Sequence, residues 1–242
     1  MSGAAPGRLR VALDLARAGN FPSVASNVLA ALVLSAGGAW PAPREFALAL
    51  LAGLLAYAGG ATLNDVADAS FDARHRPGRA IPRGALSRGA AAALGAAELL
   101  AGLGLLLALG AAGFAVAGLG AVILAYNWLH KRWAGSVVLM AGCRVLLALA
   151  VATLPGRAPG PLLLGWVVAL GGYIVGLSLL ARREYVPGAP AARLGAWVGR
   201  LLAFIPFVDA AALVVAGASG AALACAAAVP LGRLAQRYLA AN

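Results

Sequence analysis

The residues with chemical potential are concentrated in one stretch. Asp65, Asp68 and Asp72 stand at i, i+3 and i+7, in a chain with only eight acidic residues among 242. On a helix this spacing puts the three carboxylates on one face. Carboxylates so placed repel unless cations lie between them. Two kinds of cation are available, arginine side chains or a divalent metal. Mg2+ takes oxygen ligands and is commonly held by one or two carboxylates together with substrate phosphates. Arg74, Arg76, Arg79, Arg83 and Arg88 follow closely, and guanidinium pairs with phosphate through two parallel hydrogen bonds. The segment offers metal ligands and phosphate ligands together, which suits a diphosphate substrate. An EF-hand is excluded, because the D-x-D-x-D-G pattern and its terminal Glu are missing. A solvated loop with scattered salt bridges leaves three acids at helical spacing unexplained.

The elements that must position these residues are membrane helices. Of the residues 62% are hydrophobic and 11% charged, whereas a soluble domain is ~45–50% apolar and ~25% charged. Disordered chains are poor in apolar residues. The 32 glycines follow no G-X-Y period, which excludes collagen. A mean hydropathy of +0.89 agrees with an integral membrane protein. Long continuous runs of Ala, Leu and Gly favour helices over the alternating strands of a barrel. The expected fold is an all-α, polytopic transmembrane bundle of about eight spans. They lie near 21–39, 46–62, 89–109, 112–129, 134–154, 161–181, 195–216 and 219–239, the last thinned by Pro230, Arg233 and Arg237. One domain is expected over 1–242. A loop over 63–88 carries the aspartates, and a second loop covers 182–194.

The formal charge is +11. In a soluble protein it would suggest nucleic acid; here no nucleic-acid partner is expected, because the basic residues sit between apolar runs. Alternating spans place nearly all of them on one side and leave Arg44 and Arg157 on the other. By the positive-inside rule both termini and the Asp-rich loop are cytoplasmic, in the inner membrane if the cell is bacterial. Cys143 and Cys225 lie in apolar runs and read as packing. Asp14 and Arg17 interrupt the N-terminus before any apolar core, so no cleavable signal is expected. Gly172 and Gly176 form a G-x-x-x-G, and glycines crowd 102–120, both read as close helix packing.

Asn64-Asp65-x-x-Asp68-x-x-x-Asp72, then Arg76-Pro-Gly-Arg-Ala-Ile-Pro-Arg-Gly84 and Ser87, resembles the first aspartate-rich motif of the UbiA superfamily of intramembrane prenyltransferases. Tyr126-Asn-Trp-Leu-His130-Lys131-Arg132 is similar to the family's tyrosine and Lys-Arg after span four. Arg17 with Asn20 is similar to the polar entry to its first span. The resemblance covers roughly residues 10–200. It implies a bundle of commonly nine spans, with a central cavity under a cytoplasmic cap. It also implies ionisation of an isoprenyl diphosphate with Mg2+ and transfer of the prenyl group to a hydrophobic acceptor. Asp65, Asp68 and Lys131 would be catalytic. Asn64, Arg79, Arg83, Lys131, Arg132, Arg144, Tyr126, Arg17 and Asn20 would contact the diphosphate. Asp65, Asp68, Asp72 and Glu184 would hold metal. The family's second motif, D-x-x-x-D, is degenerate: Arg182-Arg-Glu184-Tyr-Val-Pro-Gly188 keeps one acid. The Ala-Arg-x-Glu ending resembles the EboC-like branch.

Arg144, within the fifth span, either points into the cavity or pairs with Glu98 or Asp209. Asp209 and Pro206 read as structural, the proline as a site where the helix bends. Arg200 reads as a snorkelling side chain. His75 and His130 read as solvated or capping residues. Tyr57, Phe71, Tyr126, Trp128 and Tyr173 could face a carbocation, although Trp and Tyr collect at membrane interfaces in any case. The principal expectation is a Mg2+-dependent prenyltransferase with an aromatic or lipid-like acceptor. The alternatives are a terpene cyclase on the same fold, or a non-catalytic transporter or subunit.

Overall fold

The computed structural model describes residues 7–183 and 191–240. The described residues form a short helix α1 (Arg8–Leu15), a 3-10 turn (Ala18–Asn20) and eight longer helices. These are α2 (Phe21–Ser35), α3 (Pro43–His75), α4 (Arg88–Ala108), α5 (Gly113–Leu129), α6 (Ser136–Ala152), α7 (Pro161–Arg182), α8 (Ala191–Val215) and α9 (Ser219–Tyr238). All eight fall where the apolar segments predict them. The segment Ala18–Ser35 and the helices α3, α4, α7 and α8 are long and apolar enough to cross a membrane. α5 and α6 are apolar but have 17 residues each, ~25 Å at 1.5 Å per residue, the lower limit for a span. Leu100, Phe114, Val168 and Leu223 are exposed on the outer faces. An apolar exterior of this kind is suited to lipid, and the protein is integral to the membrane.

α2 is apolar around most of its circumference and sits inside the bundle, touching α3, α6, α7, α8 and α9. A helix of that composition is stable only when surrounded. Pro22 stands in its first turn, and the chain leaves its far end through Gly37 and Gly38, both at positive φ. The remaining helices follow one another around it, each packed on the next in sequence from α3 to α9. The closest pair is α3 with α4. A Cβ at Gly59 would lie 2.4 Å from the Leu99 nitrogen, and one at Gly102 would lie 2.5 Å from the Ala56 nitrogen. Only glycine permits that backbone approach. At Gly172 and Gly176 a Cβ would meet nothing within 4 Å. The expected G-x-x-x-G contact is therefore absent among the described residues, and that face points outward.

One boundary differs from expectation in a way that matters. Residues 63–75, read as the start of a loop, continue α3 without a break. The polar sequence Asn-Asp-Val-Ala-Asp contains no helix breaker, and the helix stops only before Pro77. The aspartates thus ride on a rigid extension of a span. Pro206 and Pro230 lie inside α8 and α9, which run on through them.

The helices alternate in direction, so one end gathers the start of α2 and the ends of α3, α5, α7 and α9. Gly19 N donates to Ala240 O at 3.0 Å, closing that end. At the opposite end Arg157 holds both Glu45 carboxylate oxygens at 2.7 Å and donates to the Leu32 carbonyl near the end of α2. Arg157 there meets the negative end of the α2 dipole.

Candidate active site

Three turns of α3 beyond its apolar portion carry Asp65, Asp68 and Asp72, all buried. The chain then folds back. Arg79 N donates to Arg76 O, Arg83 N to Arg79 O and Gly84 N to Ile81 O, the last with Gly84 at φ +74°. Arg88 Nε donates to Val66 O at 3.1 Å, and Ser87 Oγ caps α4 by accepting from Ala90 N. This compact return lays Arg79 over the acidic face. α1 is fastened on top by a small apolar cluster of Val11, Leu15 and Ala80. Between α1 and the 3-10 turn stands Arg17, whose φ of +50° makes it the one non-glycine residue at positive φ among the described residues. Such a conformation costs about 1–3 kcal/mol. It turns the guanidinium back toward α3.

The two arginines converge on one oxygen. Arg17 Nη2 and Arg79 Nη1 each donate to Asp65 Oδ1 at 2.7 Å. Arg79 also reaches Asp72 Oδ2 at 3.3 Å, and Arg17 reaches Asn64 Oδ1 at 3.4 Å. Burial is the largest influence on the Arg17 pKa and lowers it, but Asp65 together with the Tyr57 and Tyr126 hydroxyls prevails and the net direction is up. For Arg79 burial and the neighbouring Arg17 charge prevail over Asp65 and Asp72, and its pKa falls. Arg17 and Arg79 share Asp65, and Arg79 also pairs with Asp72, so two cations face two carboxylates at this corner.

Asp68 has separate partners at the end of α5. His130 Nε2 lies 2.9 Å and Lys131 Nζ 3.1 Å from Asp68 Oδ1. Lys131 Nζ also sits 3.3 Å above the Phe71 ring, a cation–π contact. His130 is no solvated residue: its ring stacks on Tyr126, and Nδ1 lies 3.2 Å from the carbonyls of Tyr126 and Asn127. Arg182 fixes this corner by donating to His130 O, Trp133 O and Ser136 Oγ at 2.9–3.1 Å. The capping expectation for His130 holds through the Tyr126 and Asn127 carbonyl contacts, while its contact with Asp68 and the part played by Arg182 are not foreseen. The available signal was the position of His130, one turn after Tyr126 and next to Lys131.

Below the charges lies an apolar cavity of about 760 Å³ between the 3-10 turn, α3, α5, α6, α7 and α8. Its walls include Leu119, Ile123, Leu147, Ile174, Leu177 and Ile205, and its polar mouth holds Asp68, His130 and Lys131. Asn20, Tyr126 and Arg144 also line it. Asn20 Nδ2 donates to the Tyr57 hydroxyl at 3.0 Å. Arg144 makes neither expected ion pair. Its Nη1 donates to Asn27 Oδ1 at 2.7 Å and its Nη2 to Ser23 Oγ at 3.0 Å, while Glu98 accepts from Thr62. Asp209 accepts from Ser26, Asn27 and Trp166, so Asn27 bridges the acid and the arginine.

Two expected phosphate ligands lie elsewhere. Arg132 is exposed with its guanidinium 5.7 Å from the Trp128 ring, because it follows Lys131 directly and the two side chains diverge. Arg83 is exposed and lines a separate groove beside Asp65. Glu184 and most of the 182–194 loop fall outside the described residues.

The donor set suits Mg2+. Carboxylate oxygens are hard ligands, and Asp72 Oδ1 is buried without a hydrogen-bond partner. No three His, Cys, Asp or Glu among the described residues form a group able to hold a metal alone.

The model of the UbiA prenyltransferase family matches residues 24–241. Digeranylgeranylglyceryl phosphate synthase of Natronomonas pharaonis is 39% identical over 84 residues, 34% of this chain and 30% of that protein. The match thus spans less than a third of that relative's length. A solved structure described as giving structural and mechanistic insights into the biosynthesis of digeranylgeranylglyceryl phosphate synthase in membranes superposes with a TM-score of 0.62. It is 15% identical, and the match covers 96% of this chain and 95% of that one. At that identity the likeness is one of fold.

Proposed function

The chain belongs to the UbiA prenyltransferase family, and on that ground we propose that it transfers a prenyl group from an isoprenyl diphosphate to a hydrophobic acceptor. The observation that carries this reading is the junction of two unlike surfaces. Asp68, His130, Lys131 and Arg17 stand at the mouth of an apolar cavity, and the Asp65–Arg79 pair adjoins them through Arg17. A diphosphate with an isoprenoid tail has the same two-part chemistry.

Arg79 and Lys131 bind the diphosphate oxygens, and Arg17 adds charge from the α1 side. The tail enters the apolar cavity, whose volume is within the ~300–1,000 Å³ range of ligand pockets. Asp65, Asp68 and Asp72 would hold Mg2+, which when bound neutralises charge on the leaving group. The allylic C–O bond breaks and its electron pair leaves with the diphosphate. Apolar walls keep water from the resulting cation. The Tyr126 ring, stacked on His130 at the mouth, offers a π face to it. An acceptor nucleophile then donates its electron pair to the carbon and gives up its proton to the departing diphosphate. The relative's name, a glyceryl phosphate synthase, supports a lipid-like acceptor over an aromatic one. The basic end faces the cytoplasm by the positive-inside rule.

The test is product analysis. Purified protein is incubated with C10, C15 and C20 prenyl diphosphates, Mg2+ and a membrane lipid extract. The expected result is a lipid heavier by one prenyl unit, absent with EDTA. A cyclic hydrocarbon or alcohol formed without any acceptor would replace this reading with a terpene cyclase.

A further inference from the structure

Beside the cavity, on the other side of Asp65, lies a groove of about 670 Å³ between α1, the 76–87 return, α8 and α9. The carboxylates lining it among the described residues are Asp14 and Asp65. Asp14 is taken by Arg10, and Asp65 by Arg17 and Arg79. Arg83, Arg200, Arg233 and Arg237 line the same groove with no ion pair to any described carboxylate. Arg233 and Arg237 are at i and i+4 on α9, a like-charge pair that destabilises a helix unless an anion lies between. Arginines ordered only by the positive-inside rule have no reason to face one groove from three separate segments.

We propose that this groove is a second anion site, and that it holds the phosphate monoester headgroup of the acceptor. Guanidinium groups suit a phosphate through paired hydrogen bonds. A monoester carries about −1.5 to −2 at pH 7, more than the single charge of a bilayer phosphodiester. Arg17 lines both the groove and the cavity, and Arg79 closes the inner end of the groove beside Asp65. A headgroup held in the groove therefore leaves the adjoining part of the acceptor next to the diphosphate. The assignment to the acceptor rests on the prenyltransferase reading; the anion site does not.

The experiment uses full-length protein in a neutral detergent. Binding of lysophosphatidic acid (a monoester) and phosphatidylglycerol (a diester) is titrated against wild type, R233Q/R237Q and, as a second variant away from α9, R83Q. Inorganic phosphate serves as competitor. Saturable binding of the monoester, about tenfold weaker in either variant and displaced by phosphate, is expected. Equal binding of the two lipids would mark a boundary-lipid contact and overturn the proposal, as would unchanged affinity in both variants. Diphosphate release from a prenyl diphosphate is read in parallel. Its absence in wild type would overturn the prenyltransferase reading while leaving the anion site to stand or fall on the titration.

Discussion

Asp65 accepts from two arginines at 2.7 Å, and Asp68 is shared by a histidine and a lysine. Each acid is held by cations that the substrate would also want. Removing a charge that stabilises the leaving group typically costs 10²–10³-fold in rate. Lys131→Met is therefore expected to lower kcat by about 10²-fold with the protein still folded, as measured by diphosphate release and by thermal unfolding. Arg132→Met, one residue on but directed to Trp128, should leave the rate within about twofold, since surface changes away from a site are close to neutral. The aspartate trio was legible in the sequence because helical spacing is a one-dimensional signal. His130 was not, because a lone histidine at a helix end acquires its role only from Asp68, 62 residues away. Of the two alternatives for Arg144, the cavity one holds and the ion pair does not form: Asn27 stands between it and Asp209, and nothing in the spacing encodes that.

At the scale of elements, all eight long helices were visible as apolar runs, with the boundaries as the error. The end of α3 was set too early because hydropathy falls at Asn64, although nothing there stops a helix until Pro77. Of the glycine expectations, close packing holds at Gly102 and fails at Gly172 and Gly176. A G-x-x-x-G pattern states where backbones can approach, and the structure shows where they do. Gly102→Ala should destabilise the protein by about 1–3 kcal/mol, the usual cost of overpacking, because its Cβ would strike the backbone of α3. Gly176→Ala should leave stability unchanged or slightly higher, since alanine favours the helix by roughly 0.8–1 kcal/mol. Thermal unfolding in one detergent compares the two. A larger loss at Gly176 than at Gly102 would place the tight helix contact elsewhere.

For the whole molecule, the charge asymmetry read from the sequence is what gives the bundle a chemical end and a structural end. The basic end carries the acidic cluster, the cavity mouth and the arginine groove; the other end carries the Arg157–Glu45 pair. A single cysteine introduced at Gly78, in a background without Cys143 and Cys225, is expected to react with a membrane-impermeant maleimide only after cells are opened. One introduced at Ala158 should react in intact cells. The reverse pattern would invert the orientation. The measurement that tests the central claim most directly is diphosphate release from C10, C15 and C20 prenyl diphosphates by the wild type and by D65A/D68A, each with Mg2+ and with EDTA. Release that requires both the metal and the two aspartates is the predicted result. Release that persists in D65A/D68A, or none from any chain length with the lipid acceptors supplied, would contradict the account.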